Sequence, residues 1–261
     1  MMIKTTPNII TSILSVKHKE YLSPHYIRIT LTGNDVSLFG NATVGANNKI
    51  FLPSEIDGKI YFDQKKSVRR TFTHRGINIE KKEMIIDFAV HGNSGPASAW
   101  ALKAKSGDAL GIAMKDATLE LYPVADWYLL VGDATGIPVL ASILESLPKG
   151  ATGVTLIEVL DKEEEIPLIT TSDIQVNWIY NATPGEKSPL INAVKNLVLP
   201  DNNEVKCFGY VAAEFTTVKE LRHYLRKEKN WKIEDLNAYA YWKYGKSENG
   251  SEPERREEKQ N

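Results

Sequence analysis

The sequence predicts two unlike halves: an antiparallel β-barrel unit, then a parallel, doubly wound α/β unit. Three observations carry this. From Ile9 to about Tyr122 the apolar signals are short, alternate with period two and are bounded by Gly, Asn and Pro, as in several strands that close, or nearly close, into a barrel. From Trp127 onward strand-like and helix-like runs alternate, as a parallel sheet with crossover helices requires. The 261 residues suit two domains at roughly 150 residues each.

In the first half, His25–Thr32 alternates and stops at Gly33, and Met84–Val90 and Ala109–Ala113 are further strand runs. One helix interrupts them, over Pro96–Lys105. In the second half Trp127–Val131 reads as a buried strand, Ile137–Leu147 as a helix and Val154–Leu160 as a strand. Val176–Tyr180 is the next strand, Pro189–Leu197 a helix and Val205–Val211 a strand. Val218–Lys229 is a helix opened by a capping box, Thr217 with Glu220, and Asn237–Trp242 is a final strand. The join falls at Tyr122-Pro123-Val124-Ala125-Asp126. The expected domains are therefore residues 1–123, 124–246 and a charged tail, 247–261, that is nearly free of apolar residues and expected to be disordered.

Composition excludes several classes of function. The net charge of −1 gives no global basic field for nucleic acid. One cysteine, Cys207, rules out a disulfide framework and suits a reducing compartment. No leader is read in Met1–Ile10, and no run approaches the roughly 20 apolar residues of a membrane helix. The expectation is a cytoplasmic monomer without nucleic-acid or membrane partners. His18, His25, His74, His91 and His223 lack metal-ligand spacing, so no protein-held metal is expected.

Three stretches have the residue types for cofactor chemistry. In Arg69-Arg70-Thr71-Phe72-Thr73-His74-Arg75, a strand puts Arg70 and Phe72 on one face and Thr71 and Thr73 on the other. A flat ring can rest on Phe72 and a phosphate can pair with Arg70; a solvated edge strand is the plainer alternative. His91-Gly92-Asn93-Ser94-Gly95-Pro96-Ala97-Ser98 runs from a strand end into a helix start, where glycines admit a close ligand and free amides favour a pyrophosphate. A simple turn capped by Ser94 explains it equally. Leu129–Pro138 delivers Gly132, Asp133 and Thr135 to the β–α turn where α/β sheets bind nucleotides, although no GxGxxG is present. Glu158, near the end of the next strand, is a candidate for a ribose hydroxyl.

Together these stretches resemble a known family. Arg70-Thr71-Phe72-Thr73 is similar to the R-x-Y-[ST] flavin motif of the ferredoxin-reductase-like superfamily, and Gly95-Pro96-Ala97-Ser98 to its G-x-x-S pyrophosphate motif. His91-Gly92, Trp100, Val131-Gly132-Asp133, Ile157-Glu158-Val159 and Tyr241-Trp242-Lys243-Tyr244-Gly245, in that order, resemble the siderophore-interacting proteins. The resemblance covers nearly all of residues 9–246. It implies a Greek-key flavin barrel followed by a Rossmann-like nucleotide domain. FAD would be held by Arg70, Thr71, Phe72, Thr73, His91, Gly92, Gly95, Pro96, Ala97 and Ser98, with Trp242 approaching the flavin. Gly132, Asp133, Thr135 and Glu158 would form an NAD(P)H site, and Lys49, Lys115 and Lys243 would face an anionic ferric siderophore. The implied activity is FAD-dependent reduction of ferric siderophores to release Fe(II), with NADH, NADPH or reduced ferredoxin as donor and no residue acting as acid or base. A general flavin or ferredoxin-type reductase and a non-catalytic ferric-siderophore binder are the alternatives. Phe72 stands where the family has Tyr, Ala134 where it has Glu, Ala240 where it has Gly and Lys243 where it has Arg.

Overall fold

The computed structural model describes residues 8–63, 65–93, 95–201 and 204–260. The chain divides into two compact units, Met1–Leu121 and Tyr122–Asn261. Residues 1–7, within the stretch read for a leader, lie outside the described residues, as does Ser94.

The first unit is one antiparallel sheet of seven strands: β1 (Ile9–Ser23), β2 (Tyr26–Thr32), β3 (Asn47–Phe51), β4 (Arg69–Thr73), β5 (Gly76–Asn78), β6 (Glu83–Ala89) and β7 (Ala109–Lys115), in the order β4-β3-β7-β1-β2-β6-β5. The two edge strands, β4 and β5, are joined only by His74 and Arg75. So short a link forces the sheet to curl until its edges approach, and the rings of Phe72 on β4 and Phe88 on β6 touch at 4.5 Å. The result is a barrel that nearly closes. Alternation sets its inner face: Ile27, Ile29 and Leu31 of β2, Met84, Ile86 and Phe88 of β6 and Leu110, Ile112 and Met114 of β7 are all buried there. The helix α1 (Pro96–Lys103) adds Ala97 and Ala101 to the same core.

The second unit is a parallel sheet of β8 (Trp127–Asp133), β9 (Thr152–Val159), β10 (Asp173–Tyr180), β11 (Cys207–Glu214) and β12 (Leu236–Trp242), in the order β10-β9-β8-β11-β12. Helices α2 (Ile137–Ser146), α3 (Leu190–Lys195) and α4 (Phe215–His223) connect the strands. β8 and β11 are buried throughout except Trp127, as strands covered on both faces must be. The chain leaves β8 toward β9 and β10 and returns to β11 on the other side, so the topological switch lies between β8 and β11. No described helix is long and apolar enough to cross a membrane.

Two sequence expectations are corrected. The helix after β11 begins at Phe215, and its cap is Glu214, whose carboxylate accepts from the amides of Thr216 and Thr217; Thr217 is the third helical residue. The tail expected to be disordered forms α5 (Glu248–Gln260). Its anchors are polar: Glu254 pairs with Lys243 and Lys246, and Arg255 donates to the carbonyls of Ala240 and Tyr241. A scan for apolar residues misses such a helix because ions and carbonyls hold it.

Candidate functional site

In the barrel unit, β4 carries the first motif with the expected alternation. The ladder sets Arg70 opposite Ile50 and Phe72 opposite Asn48 on the inner face, and Thr71 opposite Lys49 on the outer. Phe72 is half-buried and packs on Phe88, which in turn meets Trp100 at 5.7 Å. Asn48 is 1% exposed, and neither amide atom has a hydrogen-bond partner among the described residues. A buried polar group without a partner costs about 1–3 kcal/mol, so its place beside Phe72 calls for an explanation that sequence reading did not anticipate.

The second motif is a turn tied off by Ser98. Its hydroxyl accepts from the amide of His91 at 3.0 Å and donates to the carbonyl of Gly92 at 2.6 Å. Gly92 has φ +80°, a conformation that favours glycine, with open space around it. Gly95 is the N-cap of α1 and brings no side-chain cap, and Pro96 follows. The amides of Ala97 and Ser98 lie in the first turn, where a helix has no backbone acceptor of its own to offer them. Gly95 has a packing reason too: a Cβ there would lie 2.7 Å from the His91 ring. The Ser98 side chain thus builds the turn.

On the outer face Lys49 donates to the Thr71 hydroxyl. Lys49 is opposite Ala113 on β7, so Lys115, two residues on, is its diagonal neighbour on the same face. Lys115 is exposed. The expected cations Lys49 and Lys115 therefore share one face of the barrel. Lys243 belongs to the second unit, where it pairs with Glu254 and lies 4.2 Å from the centre of the Phe215 ring.

At the carboxyl end of the parallel sheet the expected nucleotide residues Asp133, Thr135 and Glu158 hydrogen-bond within the protein. Asp133 accepts from the amide and hydroxyl of Thr135 at 2.9 and 2.5 Å and from the Trp242 indole at 2.7 Å. Burial raises its pKa, and these hydrogen bonds oppose the rise. Glu158 accepts from Asn181 at 3.0 Å and from Ser188. Burial raises its pKa too, with the charges of Asp133 and Glu214 adding to the effect. Each of its oxygens thus already accepts one hydrogen bond from within the protein. Gly132 and Gly136 serve packing: Cβ atoms there would lie 2.8 and 2.2 Å from the Ala212 carbonyl oxygen. Glu214 completes the group and was missed in the sequence, although its position at the end of β11 mirrors that of Asp133 at the end of β8. No group of three or more His, Cys, Asp or Glu suited to a metal occurs among the described residues.

Comparison with known proteins agrees with this division. Residues 15–117 match the siderophore-interacting FAD-binding domain, and residues 125–245 match the siderophore-interacting protein model. The chain is 31% identical over 254 residues to a ferric vibriobactin reductase, ViuB, of Vibrio cholerae, covering 93% of each chain. Its fold is similar to that of the siderophore-interacting protein SipS from Aeromonas hydrophila, with TM-score 0.84 and 29% identity over 95% of this chain and 97% of that one. A siderophore utilization protein from T. fusca gives TM-score 0.83 and 26% identity, over 94% and 97%. A ferredoxin NADP+ reductase from Neisseria gonorrhoeae shares the fold at TM-score 0.65 and 12% identity, over 88% and 98%. The two matched domains and the full-length relative together establish that the chain belongs to the siderophore-interacting protein family.

Proposed function

We propose that this chain is an FAD-dependent reductase of ferric siderophores that releases Fe(II) in the cytoplasm, acting as a monomer with NAD(P)H or reduced ferredoxin as donor. The observation that carries this reading is the pairing, in one barrel unit, of a helix start at Ala97 and Ser98, whose N-cap Gly95 brings no side-chain cap, with the Arg70–Thr73 strand. Their chemistry fits FAD. First-turn amides and a guanidinium suit a pyrophosphate, Phe72 offers an aromatic face, and Gly92 leaves room for close approach. The unpartnered amide of Asn48 beside Phe72 has both a donor and an acceptor to offer.

In this reading Arg70, Ala97 and Ser98 hold the diphosphate, Phe72 supports the ring system, and Ser98 keeps the His91–Gly92 turn in shape. Bound FAD supplies the electron chemistry, accepting electrons from a donor and passing them singly to iron. Lys49 and Lys115 attract the anionic ferric complex to one face of the barrel. No side chain needs to move a proton. Once reduced, iron binds hard oxygen ligands more weakly and leaves. The name carried by the Vibrio cholerae relative supports the reductase reading.

The test begins with colour. Purified chain should be yellow or become so with FAD, and anaerobic reduction followed by a ferric siderophore and an Fe(II) chelator should yield chelated Fe(II). A chain that FAD cannot reconstitute ends the flavoprotein reading. A flavin-loaded chain that releases no Fe(II) with any donor leaves a siderophore-binding protein.

A further inference from the structure

We propose that α5 is a releasable strap: its Glu254 carboxylate occupies an anion clamp made by Lys243 and Lys246, and a negatively charged ligand must displace it to bind there. This rests on the ferric-siderophore reading above and adds control of the cation at Lys243.

The strap begins in the sequence. From Ser247 to Gln260 there is no aliphatic or aromatic side chain, so apolar burial cannot hold α5 in place, and a helix of this length is marginal in water by itself. Polar contacts hold it instead. The Ser247 hydroxyl accepts from the amide of Gly250 at 3.1 Å and caps the helix start. Pro253, inside the helix, has no amide hydrogen to give its own turn. Arg255 donates to the β12 carbonyls of Ala240 and Tyr241 at 3.3 and 2.7 Å, yet its Nε is buried without a partner among the described residues. Glu254 gives one oxygen to Lys243 and the other to Lys246.

The clamp is built by a turn. The Lys246 amide donates to the Lys243 carbonyl at 3.1 Å, and Gly245 has φ +71°, a conformation that favours glycine. This turn brings both ammonium groups onto one carboxylate. Lys243 also lies over the Phe215 ring, which steadies the cation without neutralising it. The side chains of Lys243, Lys246 and Glu254 are 23%, 43% and 37% exposed, so dissolved anions reach them. Hydrogen bonds from Lys243 and Lys246 hold the Glu254 carboxyl at about 2. Mild acid therefore leaves the strap closed, whereas a competing anion opens it. Because the occupant is tethered, it competes at a high effective concentration. A triply negative ferric tris-catecholate meets that competition, and a neutral ferric trihydroxamate does not.

Two measurements test the proposal on the full chain. Hydrogen exchange read by mass spectrometry should show the α5 amides exchanging at least about fivefold faster in high salt or in citrate, which screen or replace the ion pairs, while those of β8 and β11 are unchanged. An α5 indifferent to both overturns the proposal. Calorimetric titration with the two ferric complexes reads the competition whether or not FAD is bound. Glu254→Gln should tighten the triply negative complex at least about threefold at low salt and leave the neutral one unchanged. Arg255→Gln, which loosens the strap and spares the clamp, should act in the same direction. No tightening in either variant, or equal tightening of both complexes, overturns the proposal. If neither complex binds wild type or variant, the ferric-siderophore reading fails, and the exchange experiment alone decides whether the strap exists.

Discussion

His74 connects the edge strands of the barrel and is 0% exposed, with neither imidazole nitrogen in a well-formed hydrogen bond. Burial lowers its pKa from 6.5 to about 4, and the nearby backbone of Thr43 and Gly76 opposes that only in part. The folded ring stays neutral while the unfolded chain takes a proton below pH 6.5, so stability falls as pH drops through that window. A shift of this size corresponds to about 3 kcal/mol once pH reaches the folded value, and to about 2 kcal/mol at pH 5. Above about pH 7.5 it costs nothing. Replacing the ring, His74→Leu, removes this proton uptake together with two buried polar atoms that lack well-formed hydrogen bonds. Urea unfolding of both proteins, followed by circular dichroism from pH 7.5 to 5, isolates the contribution, because carboxylates titrate alike in the two. The wild type should lose about 2 kcal/mol more than the variant. Parallel stability curves, within about 0.5 kcal/mol, would refute the burial argument.

Ser98→Ala removes the hydroxyl that ties His91 to Gly92, and FAD affinity should fall about tenfold in an equilibrium titration, the equivalent of one or two hydrogen bonds. The Cys207 thiol is buried, and burial pushes its pKa to about 11; an aromatic disulfide reagent at pH 8 should label it only after unfolding. Lys49→Ala removes a cation from the outer face that Lys115 shares, so the KM for a ferric siderophore should rise by about fivefold, more at low salt and more for ligands of higher charge; steady-state Fe(II) release reads this directly.

Much of the fold was legible because its signals are local. Strand β2, read as His25–Thr32, forms over Tyr26–Thr32, since period-two burial shows in any half-buried strand. Helix α2, read as Ile137–Leu147, spans Ile137–Ser146, since Gly136 and Pro138 mark its start. The site was legible only as far as its backbone. Gly92, Gly95 and Pro96 announce a turn into a helix because only such residues tolerate it, and the structure has that turn. What side chains do there depends on partners distant in sequence. Trp242 is 109 residues from the Asp133 carboxylate it meets, and Glu158 is 30 residues from Ser188. A lone Asp or Glu at the end of a strand reads the same whether it awaits a ribose or is already bonded within the protein. Glu214 is the sharper instance, for the capping box Thr217–Glu220 drew the helix start three residues too late, and with it went the one anion that answers the α4 amides. The same limit explains Asn48 and His74. Each is an ordinary polar letter in the sequence, and only the fold, which buries both, makes them costly.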